Sequence, residues 1–323
     1  MKAIVQRAYG PPVQALRLED VDDPQPGDHE VVVRVRAAGV NALDWHLVTG
    51  EPTIMRLAGI GFRRPKRSGV GRDVAGVVQA VGKEVTRFAP GAEVFGWCSG
   101  AFAELVVTRE DSLVDKPTNV SFEQAAAVTV AAITALQGLR DRGELQPGQQ
   151  VLITGASGGV GTFAVQLAKH FGAEVTAVCS TRNLELVRSI GADHVVDYTH
   201  EDFTRSGKRY DVILDIAGRP SLLGCRRSLK PGGRLVMAGG EGNRWLGPLG
   251  RNARGLALGL VGRRKILAFL AKETREDTLV LTELLASGAL SPVIDRTFGL
   301  AAAAEAVCYL EVGHTRGKVV VVV

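Results

Sequence analysis

The chain of 323 residues is poor in cysteine: Cys98, Cys179, Cys225 and Cys308 stand far apart, and no Cys-x-x-Cys spacing occurs. Neither a cysteine-rich zinc lobe nor a disulfide framework is therefore expected, which fits a cytoplasmic location. Aromatic residues make up only 5%. So little ring surface leaves few platforms for stacking bases, and nucleic-acid binding is not expected despite a formal charge of +5 and a pI of about 9.1. The basic runs at Arg63–Arg67 and between Arg244 and Lys265 read as solvated loops. No uninterrupted apolar run reaches the roughly 18 residues of a membrane-spanning helix. Leu256–Val261 is apolar but short, with Arg254 before it and Arg263–Lys265 after it. The opening Met1–Val5 lacks the apolar core of a signal peptide, and no membrane partner is expected.

What is present is enough apolar content, 46%, to bury two cores. Early apolar runs at Met1–Val5, Val31–Val35, Val74–Val81 and Leu105–Val107 alternate with Pro/Gly turns and predict a β-rich domain. Ser121 and Gln124 have capping-box spacing and open an alanine-rich helix. From Val151 strand and helix patterns alternate. Helices are expected at Leu184–Ile190, Ser221–Leu229 and Arg275–Ser287, with strands at His194–Val196, Asp211–Ile216 and Arg234–Ala238. Pro231-Gly232-Gly233 is read as the stop of the helix near Ser221–Leu229, ahead of the last of these strands. Such alternation predicts an α/β fold with a doubly wound parallel sheet. The valine-rich tail Lys318–Val323 is expected to rejoin the β-rich domain. The expected division is 1–122 plus 268–323, and 123–267, with the active site in the cleft between the two domains.

Residues 151–182 are the most informative stretch. The strand Val151–Thr154 leads into a turn with Gly155, Gly158 and Gly161. Val160, Phe163, Ala164, Leu167, Ala168 and Phe171 then trace one helical face. A helix opening at such a turn aims unpaired N–H groups and its positive dipole end at a pyrophosphate, so Ser157, Gly158, Gly159 and Val160 are candidate dinucleotide contacts. The next strand ends at Cys179-Ser180-Thr181-Arg182, without the carboxylate that usually bonds a ribose 2′-hydroxyl. Ser180 and Thr181 offer donors and Arg182 a positive charge to a 2′-phosphate, which predicts NADP(H) as cofactor. Gly239 and Gly240 end a strand on the ligand side, where backbone can approach nicotinamide. Arg316 and Lys318 are read as further positive charge for the 2′-phosphate pocket.

Together Gly39–His46, Gly71–Val78, Ala125–Leu136 and Gly155–Lys169 make the chain resemble the medium-chain dehydrogenase/reductase superfamily, and within it the zinc-free quinone oxidoreductase branch. The resemblance implies a Rossmann domain beside a GroES-like domain, and a homodimer. It aligns Asn41, Arg72 and Val130 with the three catalytic zinc ligands of the metal-dependent members. Arg and Val cannot ligate zinc and Asn is a poor substitute for thiolate, so no metal is expected. It also implies that Thr134 touches the nicotinamide ribose and that Tyr198 packs near the 2′-phosphate. The competing readings are a helix threonine bonding its own backbone and a half-buried core tyrosine.

For catalysis, Asn41 is read as holding the nicotinamide region or donating to a substrate carbonyl, or as a turn asparagine. Asp44 orients neighbours or caps a helix, and His46 is a candidate proton shuttle. Arg72 is expected to pair with Asp73 or Asp44. Without a Lewis acid an isolated carbonyl is a hard target for hydride, whereas a conjugated one spreads charge into an enolate. The expected activity is NADPH-dependent reduction of a quinone or α,β-unsaturated carbonyl. Two alternatives stand beside it: a metal-free alcohol or aldehyde oxidoreductase, and a non-catalytic NADPH-binding protein.

Overall fold

The computed structural model describes residues 1–239, 249–259, 263–311, 313 and 315–323. The chain divides into two compact units, Met1–Ile133 with Glu273–Val323, and Thr134–Lys272. The first crossing thus falls inside the helix Thr129–Gln137 rather than at 122/123. The second falls beyond the strand Lys265–Ala268 rather than at 267/268.

In the first unit, β1 (Lys2–Gln6) and β2 (Leu16–Asp20) form an antiparallel pair. β3 (Glu30–Val40), β4 (Asp73–Val81), β5 (Glu93–Trp97), β6 (Leu105–Arg109) and β7 (Leu113–Asp115) follow. In β3, Val33 and Val35 are buried while Arg34 and Arg36 are exposed, the period-2 pattern of a sheet with one covered face. Ser121 caps the helix Phe122–Ala126: its hydroxyl accepts from Gln124 N at 3.2 Å, and Gln124 Oε1 accepts from Ser121 N at 2.9 Å.

The second unit holds a parallel sheet of β8 (Gln150–Thr154), β9 (Glu174–Cys179), β10 (His194–Asp197), β11 (Tyr210–Asp215), β12 (Leu229–Met237) and β13 (Lys265–Ala268). Its order is β10-β9-β8-β11-β12-β13. The chain winds one way from β8 and then the other, so the switch point lies between β8 and β11, where open parallel sheets bind ligands at the strands' carboxyl ends. The helix Gly159–His170 buries Phe163, Ala164, Leu167 and Ala168 completely, the face its periodicity marks. The strand expected at Arg234 in fact begins at Leu229 and runs through Pro231-Gly232-Gly233. Its register against β11 shifts between Tyr210 and Val212, so the proline and glycines occupy an irregularity within the strand instead of separating it from the preceding helix, which has already ended at Arg227.

The chain then returns to the first unit. Thr274 caps the helix Arg275–Ala286 with its hydroxyl, and β14 (Ile294–Gly299) and β15 (Lys318–Val322) follow. β15 inserts between β14 and β3, giving the order β14-β15-β3-β4-β5-β7 with β6 also on β3. Val319, Val320 and Val321 are wholly buried there. β2 and β14 carry no clean apolar run, because short peripheral strands keep charged residues such as Arg17, Glu19, Asp295 and Arg296.

Candidate active site

In the second unit the turn after β8 is shaped by backbone constraint. Gly155 holds φ +66°, and a Cβ on Gly161 would lie 2.1 Å from the Gly155 carbonyl oxygen. Gly158 is different: its nearest protein atom to a built Cβ is 3.4 Å away, so its bareness leaves room beside the turn. It occupies the cap position of the helix Gly159–His170 and supplies no side-chain cap to the first-turn N–H groups. The turn therefore fits a pyrophosphate.

Asn183, which the sequence reading passed over, ties this turn to the end of β9. Its amide Nδ2 donates to Ser157 Oγ at 2.8 Å and to Ser180 Oγ at 3.4 Å. A hydroxyl oxygen that accepts from an amide keeps its own proton for another acceptor. One buried carboxamide thus leaves both serine protons for an acceptor such as a phosphate oxygen. Thr181, Arg182 and Asn183 form one short turn, in which Thr181 and Arg182 are exposed. A second feature was not foreseen. The strand end lacks its own carboxylate, but Asp197 at the end of β10 lies beside it, with Oδ2 2.5 Å from Thr181 Oγ1. Thr181 therefore gives its proton to Asp197. Tyr198 is 53% exposed, which rules out the core-tyrosine reading, and its N donates to the Cys179 carbonyl at 3.1 Å. Thr134 is half-buried in the helix Thr129–Gln137.

Gly239 is required by packing: a Cβ there would lie 2.3 Å from the Ile216 carbonyl oxygen. Gly240 falls outside the described residues. Arg316 is exposed and belongs to the first unit. The expectation for Lys318 is corrected. Its ammonium is buried inside the first unit, donating to Asn41 Oδ1 at 2.5 Å, to the Val40 carbonyl at 3.1 Å and to Asp73 Oδ2 at 3.4 Å. That charge is neutralised where it lies and does not serve a 2′-phosphate pocket.

The first unit gathers Asn41, Asp44, Asp73 and Lys318, each at most 6% exposed. Asn41 Nδ2 donates to Asp73 Oδ2 at 3.0 Å and to the Gly39 carbonyl at 3.4 Å. With Oδ1 held by Lys318, the Asn41 amide is committed inside the protein, and this geometry corrects the reading in which it donates to a substrate carbonyl. Asp73 Oδ1 accepts from Val130 N at 3.0 Å. Arg72 pairs with Glu273 at 2.8 Å, not with Asp73 or Asp44, because Asp73 is already matched by Lys318.

Asp44 Oδ2 accepts from Asn41 N at 2.8 Å, the capping role, while Oδ1 is buried without a partner. Burial pushes its carboxyl up to about 7, against the Asn41 hydrogen bond and the cations Lys318 and Arg72, with Asp73 adding repulsion. A carboxyl raised in the folded state contributes stability at low pH that is lost as pH rises from about 4 to about 7, up to about 1.4 kcal/mol per pH unit. Asp44→Asn keeps an acceptor for Asn41 N and is expected to flatten this decline. Melting temperatures at pH 5 and pH 8 check it, and an unchanged slope would contradict the assignment.

His46 Nδ1 lies 2.7 Å from the Glu51 carbonyl oxygen, and its ring meets Trp45 edge-on at 5.1 Å. A carbonyl only accepts, so Nδ1 carries the proton and the neutral ring's lone pair is on Nε2. Burial lowers the imidazole's proton affinity. Neutral His46 therefore has no Nε2 proton to give, which weakens the proton-shuttle reading.

Comparison with known proteins fits this architecture. Residues 27–118 match the alcohol dehydrogenase GroES-like domain family, and residues 190–321 match the zinc-binding dehydrogenase family. The chain belongs to the medium-chain dehydrogenase/reductase superfamily. Within it the chain falls in the quinone oxidoreductase-like branch. It is 33% identical to a quinone oxidoreductase of Pseudomonas aeruginosa, over 99% of this chain and 98% of that one. It is 34% identical to an NADPH-dependent alkenal/one oxidoreductase of Arabidopsis thaliana, over 99% of this chain and 79% of that one. The solved quinone oxidoreductase of Coxiella burnetii superposes with a TM-score of 0.87 at 30% identity, covering 100% and 99% of the two chains. These similarities make the chain an oxidoreductase that uses a nicotinamide cofactor. Among the described residues no helix is long and apolar enough to cross a membrane.

Proposed function

We propose that the chain transfers hydride from NADPH to a quinone or an α,β-unsaturated carbonyl without zinc. The observation that carries this reading is the chemistry at the three positions aligned with zinc ligands. Asn41 is committed to Lys318 and Asp73, Arg72 is an ion-paired cation, and Val130 has an apolar side chain with no ligating atom, its N–H donating to Asp73. No lone-pair donor set remains there for a Lewis acid.

NADPH, where bound at this turn, would supply a hydride for the electron-poor carbon of the conjugated substrate. The turn after β8 holds the pyrophosphate through the uncapped helix N–H groups and the Ser157 hydroxyl. Ser180 and Arg182 hold the 2′-phosphate, with Tyr198 beside them. Thr134 is proposed to contact the nicotinamide ribose. In the first unit, Asn41 and Asp44 act by fixing the start of the helix Ala42–Thr49. The proton that completes the reduction comes from solvent, since His46 is held in the wrong tautomer to give it.

A homodimer acting on a small molecule in the cytoplasm is part of the same proposal. The decisive assay pairs each enone with its saturated aldehyde. Turnover of the enone at least about a hundredfold faster is expected, because only the conjugated substrate delocalises the charge. Equal rates would favour the alcohol/aldehyde alternative, and NADPH binding without any turnover would favour the non-catalytic one.

A further inference from the structure

The register of β9 and β10 places Asp197 level with Cys179, at the strand end where a dinucleotide-binding sheet reads the adenosine ribose. The carboxylate arrives from the third strand of the unit, at the place the second normally supplies. Its side chain is 12% exposed. Oδ2 accepts from Thr181 Oγ1 at 2.5 Å, and Oδ1 accepts from Thr199 N at 2.9 Å and Thr199 Oγ1 at 2.6 Å. These donors hold the carboxyl down at about 2, so it is ionised at every working pH. Two titratable groups lie near it: His200, with Nε2 3.9 Å from Oδ2, and Cys179, whose thiol is pushed up to about 11 by burial and by the Asp197 charge.

The two ends of this short segment are therefore set in opposite senses. Asn183 donates to Ser180 and leaves its proton free. Asp197 takes the proton of Thr181 and adds a fixed negative charge beside it. We propose that Asp197 is a specificity-determining residue that weakens the hold on a 2′-phosphate and leaves the site able to accept the unphosphorylated cofactor as well. This rests on the reading that Ser180–Arg182 receive the adenosine ribose.

The test uses the full chain and two probes that differ by one phosphate, 2′,5′-ADP and 5′-AMP, measured by titration calorimetry. Asp197→Asn removes the charge and keeps an acceptor for Thr181. It is expected to tighten 2′,5′-ADP fivefold or more while 5′-AMP stays within twofold, and the NADPH/NADH ratio of kcat/KM rises in parallel. An unchanged ratio of the two dissociation constants, or an equal change in both, would overturn the proposal. Asp197→Ser is the second variant should the first not fold, with the same outcomes. If the wild-type protein binds neither probe, the dinucleotide reading itself fails and takes this one with it. If it binds both and only the Asp197 effect is missing, this proposal alone fails.

Discussion

Lys318→Met is expected to destabilise the first unit by about 3–5 kcal/mol, the usual cost of leaving one partner of a buried ion pair alone. The substitution keeps the length of the side chain and removes the ammonium that sits against Asp73 and Asn41. Asp73 is then a buried carboxylate that has lost its ion-pair partner. Burial already raises its proton affinity, and the Lys318 charge is the leading influence in the other direction. The loss should thus be largest at high pH and shrink as pH falls and Asp73 takes up a proton. Adding Asp73→Asn to the variant should restore much of the deficit at pH 8. Chemical denaturation at pH 8 and pH 5.5 checks all three statements, and a variant as stable as the wild type at pH 8 would refute the assignment.

Arg182→Asp should have the largest effect on function. Hydrogen bonds to charged groups contribute about 1.5–3 kcal/mol, and charge reversal adds repulsion to their loss, so KM for NADPH should rise about a hundredfold. KM for NADH should change far less, because NADH has no 2′-phosphate to repel. Steady-state kinetics with one quinone and both cofactors measures this. An NADPH constant that does not move would remove Arg182 from the site and with it the main support for NADP(H).

The sequence conveyed most of what is local. The glycine spacing, the apolar face from Phe163 to Ala168 and the capping box at Ser121 each state their own structure within a few residues. Pairings between distant segments were not legible. Lys318 meets Asn41 across 277 positions and Arg72 meets Glu273 across 201. No period or motif joins residues so far apart, so Lys318 and Arg72 were assigned to the wrong partners. Asp197 was missed for a related reason: strand alignment, set by hydrogen bonding between β9 and β10, brings it beside Thr181. A signal did exist for it, since Asp197 precedes the singled-out Tyr198 directly. Asn183 offered none, because an asparagine in a short turn is common and its usual reading is conformational.

The insertion of β15 between β14 and β3 orders events during synthesis. β3 is among the first segments made, yet its neighbour on that side, and the ammonium its end surrounds, belong to Lys318–Val322. The parallel sheet from β8 to β13 emerges from the ribosome complete, while the earlier half still shows the open Ala37–Val40 edge of β3 and an unbalanced Asp73. Birth order and completion order are therefore reversed. A nascent chain stalled between Lys272 and Lys318 would carry both a finished nucleotide fold and an unfinished, aggregation-prone sheet, the state a chaperone would have to shield.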